Sequence, residues 1–269
     1  MKLAINYSPP ASSLYQAGRI RLDFFKCPPW PGMIAEARTI APVAVHFELR
    51  AGSGRLHETE WAAIEDFREQ TGTPYVNLHL APLTSDFPGM SADTCDPADV
   101  CRVLDALLSD VYAVTERFGA KNVIAENITY YGPQEKFVRP GMQPEIICRV
   151  VEETGCGLLL DIPHARIAAR YLGMAAQSYM QQLPTARLRE LHFTGIHEIA
   201  NRPQDHLAAL ANDWQWLAWV LERIRENEWA KPWLLAFEYG GIGKFFAENC
   251  DPQVIATQMP HLWEMVQPV

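Results

Sequence analysis

Thr154-Gly155-Cys156-Gly157-Leu158-Leu159-Leu160-Asp161-Ile162-Pro163-His164 is the stretch whose reading decides the fold. Gly155 stops a preceding helical segment. Leu158-Leu159-Leu160 is a continuous apolar run, the pattern of a strand covered on both faces rather than one that alternates between core and water. The run closes on Asp161, and His164 follows three residues later, in the turn or the first helical turn. An apolar strand that ends in metal-binding residue types is chance when it occurs once.

Here it occurs six times. Residues 43–49 carry His46 and residues 75–80 carry His79. Residues 123–127 close on Glu126 and Asn127, residues 190–194 carry His192, and residues 234–238 end on Glu238. Two further apolar runs, 3–7 and 22–26, bring the predicted strands to eight. Helical spacing separates them at 32–40, 57–70, 165–172, 175–183, 207–225 and 254–265. A long helix opens on Asp96-Pro97 as N-cap and first-turn proline, carries the stripe Val100, Val103, Leu104, Leu107, Leu108, Val111 and Val114, and stops at Gly119. Pro144 opens another that ends near Gly155. Short strands alternating with helices predict a closed parallel (β/α)8 barrel. The 269 residues suit one such barrel, so a single domain over 1–269 is expected.

In a barrel all strand tails converge on one mouth, where such folds place their chemistry. Imidazole and carboxylate are the usual ligands of iron, manganese and zinc. The six tails carry no lysine or arginine, and Glu126, Asp161 and Glu238 buried together would repel one another. A metal ion is the economical counter-charge. The metal candidates are therefore His79, Glu126, Asp161, His164, His192, Asp205, His206 and Glu238, with His46, Asn127 and His197 behind them. For His46 and His197 a structural reading competes, since Glu48 and Glu198 offer nearby partners. A carboxylate at a strand tail also serves commonly as a helix cap. Asp205 and His206 lie in the loop after the seventh strand. Being adjacent, they are expected to diverge, with one of them binding.

Composition excludes several function classes. The chain is 48% hydrophobic and 20% charged, as in a globular protein with a large core, and its net charge is −9. An acidic surface makes nucleic acid a poor partner. No apolar stretch is long enough for a membrane span. The opening residues meet Ser8-Pro9-Pro10 too soon for a signal-peptide core, so a cytoplasmic location is expected. Cys27, Cys95, Cys101, Cys148, Cys156 and Cys250 form no C-x-x-C pair and are expected as reduced thiols. Neither a G-x-x-x-x-G-K-[ST] phosphate loop nor a G-x-S-x-G elbow is present.

The tail residues in strand order (His46, His79, Glu126, Asp161 with His164, His192 and Glu238) resemble the xylose isomerase-like TIM-barrel superfamily of sugar isomerases, epimerases and apurinic endonucleases. Within it, Ala125-Glu126-Asn127-Ile128, Thr154 to Asp161 and Leu188-Arg189-Glu190-Leu191-His192-Phe193-Thr194-Gly195 look closest to the multinuclear non-haem iron-dependent oxidative enzymes. That resemblance implies a di- or trinuclear iron site at the strand ends, with His79, Glu126, Asp161, His164, His192, Asp205, His206 and Glu238 as ligands. It also implies an oxidative modification of a ribosomal peptide or a small molecule, with a small partner protein as a further expectation. Three alternatives stay open. One is a sugar isomerase or epimerase on one manganese, magnesium, cobalt or zinc ion, with Glu126 and Glu238 exchanging the proton. The others are a zinc phosphodiesterase of the apurinic endonuclease type, which the negative charge disfavours, and a non-catalytic barrel.

Overall fold

The apolar runs do become strands, at shifted boundaries, in a computed structural model that describes residues 1–267 and 269. In chain order the elements are β1 (Lys2–Asn6), α1 (Pro9–Gln16), β2 (Phe24–Cys27), α2 (Pro31–Arg38), β3 (Val43–Val45), β4 (Leu49–Ala51), α3 (Ala62–Thr71), β5 (Val76–Leu80), α4 (Pro97–Phe118) and β6 (Val123–Glu126). There follow α5 (Pro144–Thr154), β7 (Gly157–Asp161), α6 (Ile162–Leu172), α7 (Ala176–Gln181), β8 (Leu188–Phe193), β9 (Gly195–Ile199), β10 (Arg202–Leu207), α8 (Ala211–Arg225), β11 (Leu234–Phe237), α9 (Lys244–Glu248) and α10 (Pro252–Val266). The chain divides into two compact units. One is Met1–His46, Glu65–Thr73 and Arg189–Val269; the other is Phe47–Ile64 and Pro74–Leu188.

In the first unit the strands lie in the order β3-β2-β1-β11-β8, and each pair is parallel. Three alanines (Ala4, Ala44 and Ala236) and Leu234 form a buried core cluster with Phe24 and Trp233 packed against it. Because the strands run one way, Lys26, His46, His192 and Glu238 all fall at the same, C-terminal edge.

The second unit has the parallel order β7-β6-β5-β4, and every residue of β6 and β7 is buried. The caps predicted from sequence are present. The Asp96 carboxylate accepts from the Ala98 and Asp99 amides to start α4, and Gly119 ends it at φ 81°. From inside α4, the buried Asp110 carboxylate accepts from the amides of Gly52, Ser53, Gly54 and Leu56 and so pins the 52–56 loop.

Eleven strands replace the expected eight among the described residues. One difference is a break in the 43–49 run. β3 ends at Val45, and β4 begins at Leu49. Between them the Phe47 backbone pairs with a side chain: its N–H donates to Asn77 Oδ1, and its carbonyl accepts from Asn77 Nδ2. The other difference is that residues 195–206, expected as a loop, and Leu207, expected to open the 207–225 helix, form an antiparallel β9–β10 hairpin, and the helix starts at Ala211. The signal was hidden by the polar sequence Arg202-Pro203-Gln204-Asp205-His206. Ala200 and Asn201 turn the tip with positive φ. Gly195 is required where it stands, because an added Cβ would lie 1.9 Å from the Ala208 carbonyl oxygen. No helix among the described residues is long and apolar enough to cross a membrane.

Candidate functional site

The second unit gathers His79, Glu126, Asp161 and His164. His79 and Glu126 are register partners on β5 and β6, so both side chains leave the same face of the sheet. Their Nε2 and Oε2 atoms are 3.4 Å apart. His164 Nδ1 lies 3.7 Å from Glu126 Oε1 and 3.6 Å from Asp161 Oδ1. Glu126, Asp161 and His164 each offer a ligand atom within 4.8 Å of the others. Two donors each about 2.1 Å from one ion, at tetrahedral to octahedral angles, stand about 3.0–3.4 Å apart, so small side-chain shifts would close this set on a cation.

Asp161 has two jobs. Its Oδ1 accepts from the His164 amide at 2.6 Å and caps α6, as the capping alternative anticipated. Asn127 locks the same corner from β6. Its Nδ2 donates to the Asp161 carbonyl and its Oδ1 accepts from the Asp161 amide, both at 3.0 Å. Both ends of this amide are engaged, so Asn127 positions Asp161.

The orientation of the histidines fits ligand duty. His79 Nδ1 lies 3.4 Å from the Leu49 carbonyl and His164 Nδ1 lies 3.0 Å from the Asn127 carbonyl. In the first unit His206 Nδ1 lies 3.1 Å from the Glu238 carbonyl. A proton fixed on Nδ1 in this way leaves the Nε2 lone pair for a metal; His79 already turns Nε2 to Glu126, whereas His164 faces Glu126 and Asp161 with Nδ1 and would have to turn its ring to present Nε2. His197 is reversed: its Nε2 faces the Ala208 carbonyl at 2.8 Å, which matches the structural reading.

In the first unit Lys26 meets His192 and Glu238, His46 and Glu190 stand beside His192, and His206 reaches Glu238 with Asp205 next to it. His192 is fully buried, with Nδ1 3.2 Å from Glu238 Oε1 and Nε2 3.1 Å from Glu190 Oε1. The His46 ring stands 5.3 Å from that of His192, so His46 belongs to this group. Asp205 and His206 do not diverge, contrary to expectation. A register break in β10 and a φ of 60° at His206 turn the two side chains together, and their ligand atoms lie within 4.8 Å.

Sequence reading missed two residues here. Lys26, at the tail of β2, forms a buried ion pair with Glu238 and places Nζ 2.8 Å from His192 Nε2. The expectation that no cationic side chain serves these tails is thereby corrected. Lys26 obeys the same tail rule as the ligands, but only metal-binding types were sought. Glu190 was passed over because it sits at the start of the predicted seventh strand; its Oε2 also accepts from the Trp233 indole. Burial alone would push the Glu238 carboxyl up, but its electrostatic interactions with His192, Lys26, His206 and His46 hold it well below the usual carboxylate range.

Comparison with known proteins supplies the wider setting. The family described as RiPP precursor modification enzyme MbnB/TglH/ChrH, which acts on ribosomally made peptides, matches residues 28–232. A UPF0276 protein of Paraburkholderia phytofirmans is 39% identical over 56 residues, 21% of this chain and 18% of that protein. One of Rhizorhabdus wittichii is 27% identical over 166 residues, 61% of this chain and 58% of that protein. The chain therefore covers well under two thirds of the length of these relatives. Among solved structures, a D-tagatose 3-epimerase-like protein superposes with a TM-score of 0.59 at 15% identity, covering 99% of this chain and 97% of that one. An AP endonuclease of family 2 from Brucella melitensis gives 0.54 at 12% identity, covering 97% and 98%. A xylose isomerase-like TIM barrel fused to 4-hydroxyphenylpyruvate dioxygenase gives 0.54 at 13% identity, covering 97% of this chain and 42% of that one. At these identities the likeness shows the fold alone, and the fold is that of the xylose isomerase-like TIM barrels.

Proposed function

The chain belongs to the family of RiPP precursor modification enzymes MbnB/TglH/ChrH, and we propose that it carries out an iron-dependent oxidation of a ribosomally made peptide. The observation that carries this reading is the convergence of the buried Glu126 and Asp161 with the half-buried His164, with ligand atoms within 4.8 Å and His79 beside them. Two or three iron ions per chain would be held by His79, Glu126, Asp161, His164, His192, Asp205, His206 and Glu238, each unit contributing its own donors. Bound iron would supply one-electron chemistry and use dioxygen as the oxidant.

The remaining work falls to side chains of this chain. Glu126 and Asp161 stand in a nearly dry environment, which would strengthen their hold on a cation. The Asn127 amide fixes the Asp161 backbone on both sides. The carbonyls of Leu49, Asn127 and Glu238 set the tautomers of His79, His164 and His206. Mixed imidazole and carboxylate donors suit iron or manganese better than a thiolate-preferring ion. The substrate class, a ribosomally made peptide, rests on the family description; that the peptide bears cysteine and is presented by a small partner protein belongs to this proposal alone.

The test is direct. The full chain is loaded with ferrous iron without oxygen, then exposed to air with a short cysteine-bearing peptide encoded beside its gene. A mass change in the peptide that needs both iron and oxygen is expected. An unchanged peptide, together with manganese-dependent turnover of a ketose, would replace this reading with the isomerase one, in which Glu126 and Glu238 carry protons.

A further inference from the structure

Lys26 is a feature of the first unit that a metal-binding role does not explain. Its Nζ lies 2.8 Å from His192 Nε2 and 3.5 Å from Nδ1, and it is ion-paired with Glu238. Only 4% of the side chain is exposed. An ammonium has three donors and no acceptor, so it demands lone pairs around it. Here it takes them from an imidazole nitrogen and a carboxylate, the same atoms a metal ion would need.

His192 differs from the other tail histidines in the same sense. His79, His164 and His206 turn Nδ1 to a backbone carbonyl. His192 instead points Nε2 at Lys26 and Glu190, and Nδ1 at Glu238. An ion bonded to His192 and Glu238 would sit within a few ångströms of the ammonium, and two positive charges at that separation in a buried setting repel strongly. The pair can serve one cation at a time.

We infer that Lys26 is a built-in cation that occupies the His192–Glu238 pair and must withdraw before the pair can take a metal ion. This rests on the reading that the pair is a metal site. The pair then loads more weakly than its donors alone would allow, and loading drives the ammonium away from His192 and Glu238. With no metal bound, Lys26 holds both donors in place and keeps Glu238 from standing as an unpaired buried charge.

The experiment uses the metal-free full chain and manganese(II) alone, with free ion read by electron paramagnetic resonance during a titration. Lys26→Met, which keeps length and removes charge, is expected to tighten at least one class of manganese binding by about tenfold or more. Lys26→Arg, which keeps the charge, is expected to leave the wild-type affinities in place. Lys26→Met binding equal to or weaker than wild type overturns the inference. A second measurement needs no variant: acylation of Lys26 by an amine-reactive ester, followed by mass spectrometry, should rise when manganese is added to wild-type chain. Unchanged labelling at saturating manganese overturns the inference as well. Wild-type chain that binds no manganese at all sinks the metal reading and this inference together, whereas manganese binding indifferent to Lys26 sinks the inference alone.

Discussion

Asp161 caps a helix and stands in a donor set, and the two roles separate in a pair of variants. Asn is as good an N-cap as Asp, so Asp161→Asn should keep the hydrogen bond to the His164 amide. It removes the charge that would hold a cation. Asp161→Ala removes both, and the lost cap costs about 1 kcal/mol. Unfolding entropy scales with chain length, and for 269 residues it comes to about 0.56 kcal/mol/K. Metal-free Asp161→Ala should therefore melt about 2 °C below wild type, and metal-free Asp161→Asn close to it. A metal ion at about 100 times its Kd adds about 2.7 kcal/mol to wild type, a rise of about 5 °C. Both variants should lose most of that rise. Scanning calorimetry with and without ferrous iron under nitrogen reads all of these quantities. An Asp161→Asn chain that still gains the full wild-type increment would refute the donor role, and an Asp161→Ala chain as stable as wild type without metal would refute the cap.

Other expectations follow from single contacts. Asp110→Ala leaves the amides of Gly52, Ser53, Gly54 and Leu56 without their carboxylate; a loss of about 3–5 kcal/mol is expected, seen as a lower urea midpoint, and a loss under 1 kcal/mol would mean the loop re-pairs elsewhere. Gly195→Ala drives a Cβ into the Ala208 carbonyl, so the β9–β10 hairpin should lose amide-exchange protection while β1 and β11 keep theirs; unchanged hairpin protection would contradict the contact. Burial pushes the Cys27 thiol up to about 12. Its folded value is above its unfolded one, so the stability it contributes is complete below about pH 9 and is lost as pH rises toward 12. Native chain at pH 8 should accordingly be alkylated at the exposed Cys95 and Cys101 before Cys27, and equal rates would count against that burial.

Much of the fold was legible because burial writes itself into composition. The Leu158-Leu159-Leu160 run announced a two-face-covered strand, and Asp96-Pro97 with Gly119 bounded a 22-residue helix correctly. Breaks made by side chains were not legible. Nothing in the apolar run at 43–49 shows that Asn77, thirty residues on, will take the Phe47 backbone bonds. The β9–β10 hairpin escaped because its second strand is polar and its pairing rests on backbone rather than on an apolar face. At the candidate site the tail rule found His79, Glu126, Asp161, His192 and Glu238, since strand direction alone decides which end a residue occupies. It missed Lys26, which stands at the tail of β2 as the donors stand at theirs, because lysine is not a metal-binding type and sequence spacing does not measure its reach past β1 to Glu238 and His192. It misjudged Asp205 and His206 because adjacent residues diverge only on a regular strand, and a positive φ at His206 cancels that.

Iron counted per chain bears most directly on whether these buried acids and imidazoles exist to hold metal. Chain reconstituted with excess ferrous iron under nitrogen, stripped of loose ion by gel filtration and assayed by mass spectrometry, should retain two or three irons. Glu126→Gln and Glu238→Gln, each confirmed folded by circular dichroism, should each retain at least one fewer. Wild-type chain holding no iron above a protein blank, or the same content in both variants, would contradict the account.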